Sequence, residues 1–151
     1  MAAEQHSKAG KHPNDSRAEM TIMMLPSDAN PKGNVFGGVI LKHVDLIAGL
    51  CAKRHAGRAN IVTASMDRMT FLKPVFIGNA LILSARLNYV KRSSMEVEFT
   101  VEAAFVTMVA LDQYGKPTEV PALVLERDDD KIRFQQGEAR MISRLKEAGR
   151  M

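Results

Sequence analysis

Cysteine, aromatic residues and long apolar runs are scarce in this 151-residue chain, and each scarcity removes a class of function. Cys51 is the only cysteine, so no intrachain disulfide can form and a cluster of cysteine metal ligands is excluded. Aromatics make up 5% of the residues and Trp is absent, which leaves little with which to stack single-stranded nucleic acid. No apolar run approaches the ~20 residues of a membrane-spanning helix. The N-terminus is polar and lysine-bearing, without the apolar stretch of a signal peptide. There is no Gly-x-Ser-x-Gly elbow. The four histidines are scattered, without metal-ligand spacing. These absences favour a protein of the reducing cytosol, with no metal and no nucleic-acid or membrane partner.

What is present suits one globular domain: 46% of the residues are hydrophobic, enough for a core. The formal net charge is +4. Its carriers, among them Lys11, Arg54, Lys73, Lys91 and Arg92, are spread along the chain. A phosphate-bearing small molecule fits that spread better than a polymer does.

Residues 1–17 read as a flexible polar leader and 18–151 as a single domain. Glu19 to Leu25 is a short strand-like run ending at Pro26, and Ser27 to Gly38 is loop. From Val39 to His55, Ile40, Val44, Ile47 and Cys51 recur at helical spacing, while Leu46 and Leu50 widen the face. Such a helix should be buried on several sides, and Gly57 should stop it. Ile61 to Phe71 is β-rich. Leu81, Leu83, Ala85, Leu87 and Tyr89 then alternate with Ile82, Ser84, Arg86 and Asn88. Met95, Val97, Phe99 and Val101 alternate with Glu96, Glu98, Thr100 and Glu102, giving one apolar and one acidic face. Phe105 to Leu111 is another strand, Tyr114-Gly115-Lys116-Pro117 a turn, and Asp128 to Gly149 a helix with acids at its start and Lys146 near its end. The order predicts an α+β fold in which one antiparallel sheet wraps the long helix.

Two features carry chemistry. Gly37-Gly38 stands where the loop meets the long helix, whose first N–H groups lack internal partners and carry positive potential. A carbonyl oxygen gaining negative charge could be held there. A tight turn with nothing bound explains the glycines equally well. Asp45 lies about two turns into the helix. A carboxylate buried there needs either a partner or a function; a structural acid that bonds to a neighbouring strand or points to solvent explains it as well. Asn34 is also an ordinary turn residue. His43 does not share the face of Asp45, and Cys51 fits core packing. A carboxylate, an amide and backbone donors can activate water against an already reactive carbonyl. A thioester is such a carbonyl, because its thiol leaves with a pKa of about 8.5 and needs little acid help.

At these residues a family resemblance appears. The run from Ser27 through Asn30, Gly33, Asn34, Phe36, Gly37 and Gly38 to Asp45 resembles the signature of hotdog-fold acyl-CoA thioesterases, in the branch of cytosolic acyl-CoA hydrolases and YciA-type enzymes. The likeness continues through Val62-Thr63-Ala64-Ser65-Met66-Asp67, Thr70-Phe71-Leu72-Lys73-Pro74-Val75, Arg92-Ser93-Ser94 and Gly115-Lys116-Pro117, covering roughly Met20 to Arg144. It implies a hotdog fold with a C-terminal helix and homodimers that share active sites, often as trimers of dimers. It implies Asp45 as catalytic carboxylate, either base or nucleophile. Asn34 would come from the other subunit, with the N–H of Gly37 or Gly38 on the thioester carbonyl. Phe71, Lys73, Pro74, Lys91, Arg92, Ser93 and Ser94 would be the CoA-binding residues. No separate cofactor is implied, since CoA arrives with the substrate. A non-catalytic acyl-CoA-binding module is the alternative, although binding alone has no use for a carboxylate beside a carbonyl. One departure stands out: Ala103-Ala104 leaves almost nothing where family members make a longer excursion between two strands.

Overall fold

The structure, a computed structural model, describes residues 9–57, 59–67, 69–71, 73–101 and 104–149, the side chains of 104–106 excepted. Five strands form one antiparallel sheet: β1 (Ala18–Met23), β2 (Asn60–Met66), β3 (Ala80–Lys91), β4 (Ser94–Thr100) and β5 (Ala104–Leu111). Their spatial order is β1-β3-β4-β5-β2, so β1 and β2 are the edges. Helix α1 (Gly37–Ala56) crosses one face and touches all five strands; helix α2 (Asp128–Glu147) lies on β3. Ala103 and Glu102, at the short β4–β5 connection, lie outside the described residues.

Strand alternation builds the core. Leu81, Leu83, Ala85 and Leu87 of β3 and Met95, Val97 and Phe99 of β4 are buried with Ile40, Val44, Ile47, Ala48 and Cys51 of α1. Closing this interior offsets the chain entropy lost on folding. Helix α1 stops at Gly57, whose φ of +74° suits glycine. The Lys11 ammonium donates to the terminal carbonyls of Arg54 and His55 at 3.0 and 2.9 Å.

Three sequence expectations change. Segment 1–17 is not a free leader in its described part: Pro13–Ser16 is a 3₁₀ turn, and Lys11 N–H donates to the Ala122 carbonyl at 2.8 Å. Residues 1–8 lie outside the described residues. Tyr89 is not in line with Leu81 to Leu87. The pairing of β3 with β4 shifts between Leu87 and Tyr89, and this irregularity turns the Tyr89 ring toward Phe134 of α2, with centroids 4.8 Å apart. Finally, α1 is not enclosed on several sides. Lys42, Asp45, Leu46, Leu50 and Lys53 form an exposed stripe along it.

The acidic face of β4 is covered by arginines. Glu96 is fully buried, and Arg140 donates to it through Nη2 at 2.6 Å and Nε at 3.0 Å. Arg144 of α2 joins it at 3.0 Å, Arg133 pairs with Glu98, and Arg86 pairs with Asp130 at 2.5 Å. Close approach requires Gly137: a Cβ there would stand 2.6 Å from Tyr89 Cβ and 3.0 Å from Glu96 Oε1. Gly137→Ala is expected to cost about 1–3 kcal/mol through overpacking, read as a lower midpoint in urea unfolding.

His55 is buried at the end of α1. Its Nε2–H donates to the Pro121 carbonyl, which can only accept, so Nδ1 accepts from the Ser16 hydroxyl at 3.0 Å. Burial is the main cause of its lowered pKa, and Lys11 adds to it, against the opposing bond to Pro121. An unfolded His55 takes up a proton near pH 6.5, whereas the folded one stays neutral. Its contribution is therefore complete above pH 6.5 and lost as pH falls through the lowered folded value. The thermal midpoint should decline from pH 7 to pH 5, and His55→Gln should flatten that slope.

Candidate active site

The loop between β1 and α1 is organised by an asparagine that the sequence reading left without a role. Asn30 Oδ1 accepts from the N–H of Lys32 at 2.9 Å and of Asn34 at 3.2 Å. The Asn30 N–H donates to the Asn34 carbonyl at 2.6 Å, and Gly33, at φ +84°, donates back to the Asn30 carbonyl. Both bonds commit Oδ1 to the loop. The signal was legible: an Asn before a Gly three residues on is an Asx-turn pattern. Farther along, Val35 N–H donates to the Val75 carbonyl at 2.8 Å and Asn34 bridges Phe76, which ties the loop to the β2–β3 connection.

At the N-terminus of α1, Phe36 takes the capping position with no side-chain cap, and the first turn holds no acid. The amides of Gly37 and Gly38 are thus left without a capping side chain, at the positive end of the helix. A side chain at position 38 would run into the Phe36 ring, whereas a Cβ at 37 would make ordinary contact, 3.5 Å from the Phe71 ring.

Two cavities adjoin this helix end. A groove of about 210 Å³ is lined by Asn30, Asn34, Gly37, Phe71, Lys73 and Pro74. An apolar cavity of about 220 Å³ shares Ile40, Phe71, Lys73, Pro74 and Val75 with it and runs on to Val44 and Phe99. The structure therefore brings Asn34, Gly37, Phe71, Lys73 and Pro74 together. Lys91, Arg92, Ser93 and Ser94 line a different cavity, of about 300 Å³, with Pro117 and Thr118. Arg92 sits in the β3–β4 turn at φ +50°, the one positive φ outside glycine among the described residues. Conformational cost at such a residue points to use of its side chain.

Asp45 lines none of these cavities. It is exposed, one of the alternatives that the sequence left open, and its Oδ1 accepts from the Thr63 hydroxyl of β2 at 2.5 Å. Around it, the stripe of α1 continues onto β2, an edge strand exposed from Val62 to Ser65. Cys51, by contrast, is fully buried, and desolvation pushes its thiol up to about 12 despite Arg54 and Arg86, so it is no nucleophile. His43 Nδ1 is buried without a hydrogen-bond partner. Among the described residues no group of three or more His, Cys, Asp or Glu could hold a metal ion, and no helix is long and apolar enough to cross a membrane.

A family model described as the thioesterase superfamily matches residues 32–104. The acyl-CoA thioester hydrolase YkhA of Bacillus subtilis, itself uncharacterised, is 36% identical over 77% of this chain and 74% of its own length. The chain belongs to the thioesterase superfamily. Its fold is the hotdog fold: a curled antiparallel sheet around a long helix, with a second helix outside. This thioesterase-superfamily chain is also 37% identical to the rat cytosolic acyl coenzyme A thioester hydrolase, over 84% of its length. It spans only 37% of that relative. Among solved structures, an apo-hexameric acyl-CoA thioesterase superposes with a TM-score of 0.82 at 34% identity, covering 92% of this chain and 97% of the other. An acyl-CoA hydrolase from Staphylococcus aureus, solved with butyryl-CoA, CoA and CoA disulfide, gives 0.77 at 32% identity, covering 91% and 94%. The latter enzyme has also been solved as alanine variants of an asparagine, an aspartate and a threonine.

The turn at Arg92 supplies a test. Arg92→Gly should stabilise the fold by about 0.5–1 kcal/mol, because glycine adopts positive φ without strain. A thermal midpoint unchanged or lowered by that substitution would show that the turn stores no strain.

Proposed function

We propose that this chain is an acyl-CoA thioesterase with Asp45 as its catalytic carboxylate, working as a dimer or larger assembly. The observation that carries the reading is Asp45 itself: an exposed acid on the exposed stripe of α1, oriented by Thr63. The variants of the S. aureus hydrolase support it, because there too an aspartate is followed by a threonine, seventeen positions on rather than eighteen. In that enzyme the asparagine precedes the aspartate by fifteen positions, the interval from Asn30 to Asp45. We therefore assign Asn30 to the site beside Asn34, with Nδ2 of Asn30 donating to the substrate.

Elementary geometry argues for two subunits. Asp45 lies eight positions after Gly37, so about 12 Å of helix lies between the amides that would polarise a carbonyl and the acid that would drive water onto it. One thioester carbon cannot meet both from a single chain, since the reacting atoms must stand about 3–3.5 Å apart. Two copies joined through the exposed stripe of α1 and the β2 edge would bring Asp45 of one against the α1 N-terminus of the other. The hexameric state of one structural neighbour is consistent with assembly beyond the dimer.

In the proposed reaction the thioester oxygen lies against the amides of Gly37 and Gly38, where its developing charge is stabilised. Asp45, held by Thr63, takes a proton from water that attacks the carbonyl carbon, or attacks it directly to form an acyl-Asp45 anhydride that water then cleaves to the free acid, restoring the carboxylate. In both routes the C–S bond breaks and CoA leaves as thiolate. Phe71, Lys73 and Pro74 would receive the pantetheine arm, and Lys91, Arg92, Ser93 and Ser94 the phosphates.

Thiol release from acyl-CoA tests the proposal. Asp45→Ala should lower kcat by at least about 10²-fold, the scale of lost general-base catalysis, with the fold intact. Asn30→Ala and Asn34→Ala, run in parallel, should rank Asn30 as the costlier loss. Near-normal turnover in Asp45→Ala would sink the mechanism. Tight acyl-CoA binding by the wild type without thiol release would instead favour a binding module.

A further inference from the structure

The β2–β3 connection supplies Phe71, Lys73, Pro74 and Val75 to both cavities beside α1 and Met69 to the larger one. Its far end is tied to the loop before α1 through Val35–Val75 and Asn34–Phe76. Its near end, just past β2, is held among the described residues by Asp67. Asp67 accepts from Arg144 of α2 twice, Nε to Oδ1 at 2.9 Å and Nη2 to Oδ2 at 2.7 Å. Between these two anchors the described residues Met69, Thr70, Phe71, Lys73 and Pro74 make no hydrogen bond with another described residue.

We infer that Arg144 is a positioning residue for substrate binding, holding the cavity-lining connection in register through Asp67 from the far side of the sheet. The inference rests on the function proposed above. Its physical warrant is the fork of Arg144. The same Nη2 that meets Asp67 also reaches Glu96, at 3.0 Å. Burial opposes the charge on Arg144, but the bonds to Asp67 and Glu96 outweigh it and raise its pKa, so the guanidinium stays charged. Glu96 is fully buried in β4, so Arg144 ties Asp67, at the start of the connection, to a carboxylate inside the sheet. A planar two-bond pair fixes direction as well as distance, which a lysine cannot do. Nor is Arg144 needed to neutralise Glu96, because Arg140 meets both oxygens of that carboxylate at 3.2 Å or less. Asp67 is partly exposed and would be hydrated if released.

The test is steady-state kinetics of the full chain on acyl-CoA with Arg144→Met, Arg144→Lys, Asp67→Asn and the double variant. Arg144→Met should raise KM by about five- to tenfold with kcat within about twofold, since misplacing a binding segment acts on substrate positioning. Asp67→Asn should match it, Arg144→Lys should recover part of the loss, and the double variant should be no worse than either single. An unchanged KM, or additive losses in the double variant, would overturn the inference. If Arg144→Met does not fold, Asp67→Asn decides, since it leaves Glu96 with both arginines. If the wild type releases no thiol, the functional proposal fails separately, and the same variants are read by calorimetric titration with acyl-CoA. Weakened binding in the variants supports the positioning role; equal or absent binding overturns it.

Discussion

The fully buried carboxylate of Glu96 is the constraint around which the outer half of this molecule is arranged. A charge without water must be met by other charges and hydrogen bonds, or it destabilises the fold by several kcal/mol. Here it is met by Arg140 and Arg144, one turn apart on α2. That requirement fixes which face of α2 turns inward and how close the helix comes. It explains a glycine at position 137 in the middle of a helix, where glycine is otherwise unfavourable. The pairs of Arg133 with Glu98 and Arg86 with Asp130 extend the same logic toward the start of the helix. Two kinds of core therefore meet at one sheet: an apolar one toward α1 and an ionic one toward α2.

The apolar core was the legible part. Period-two alternation in β3 and β4 and helical spacing in α1 report burial directly, so the order of elements and the long helix followed from pattern. Tyr89 was not legible, because the β3 irregularity before it leaves the alternation of residue types intact while rotating the chain. The acidic face of β4 reads the same whether water or arginines cover it, since periodicity carries polarity and not environment. The docking of Lys11 to Ser16 was hidden for a similar reason: it depends on lone polar contacts with the end of α1, which leave no periodic trace.

At the site, the loop and the helix N-terminus were recognisable from glycines and turn residues, and the groove gathers Asn34, Gly37, Phe71, Lys73 and Pro74. Asp45 was legible as an anomaly, but the sequence left its environment open between burial and solvent. An acid among apolar residues suggests burial, yet the apolar residues beside it, Leu46 and Leu50, are themselves exposed. A single sequence does not separate a helix buried by its own chain from one whose second face awaits a partner, because both look apolar around much of their circumference. Asn30 shows the reverse case. Its turn chemistry was readable, and what concealed it was that a loop-organising side chain can also line a groove.

The scarcity of cysteine has a consequence for the proposed chemistry. A thioesterase frees a thiol at each turnover, and free thiols and their disulfides exchange with accessible protein thiolates. This chain offers them no partner: its one sulfhydryl, Cys51, lies in the interior with a thiol pushed up to about 12. CoA and CoA disulfide can therefore accumulate around the protein without forming a mixed disulfide with it, so its surface carries no memory of its own product or of the redox state of the surrounding thiol pool.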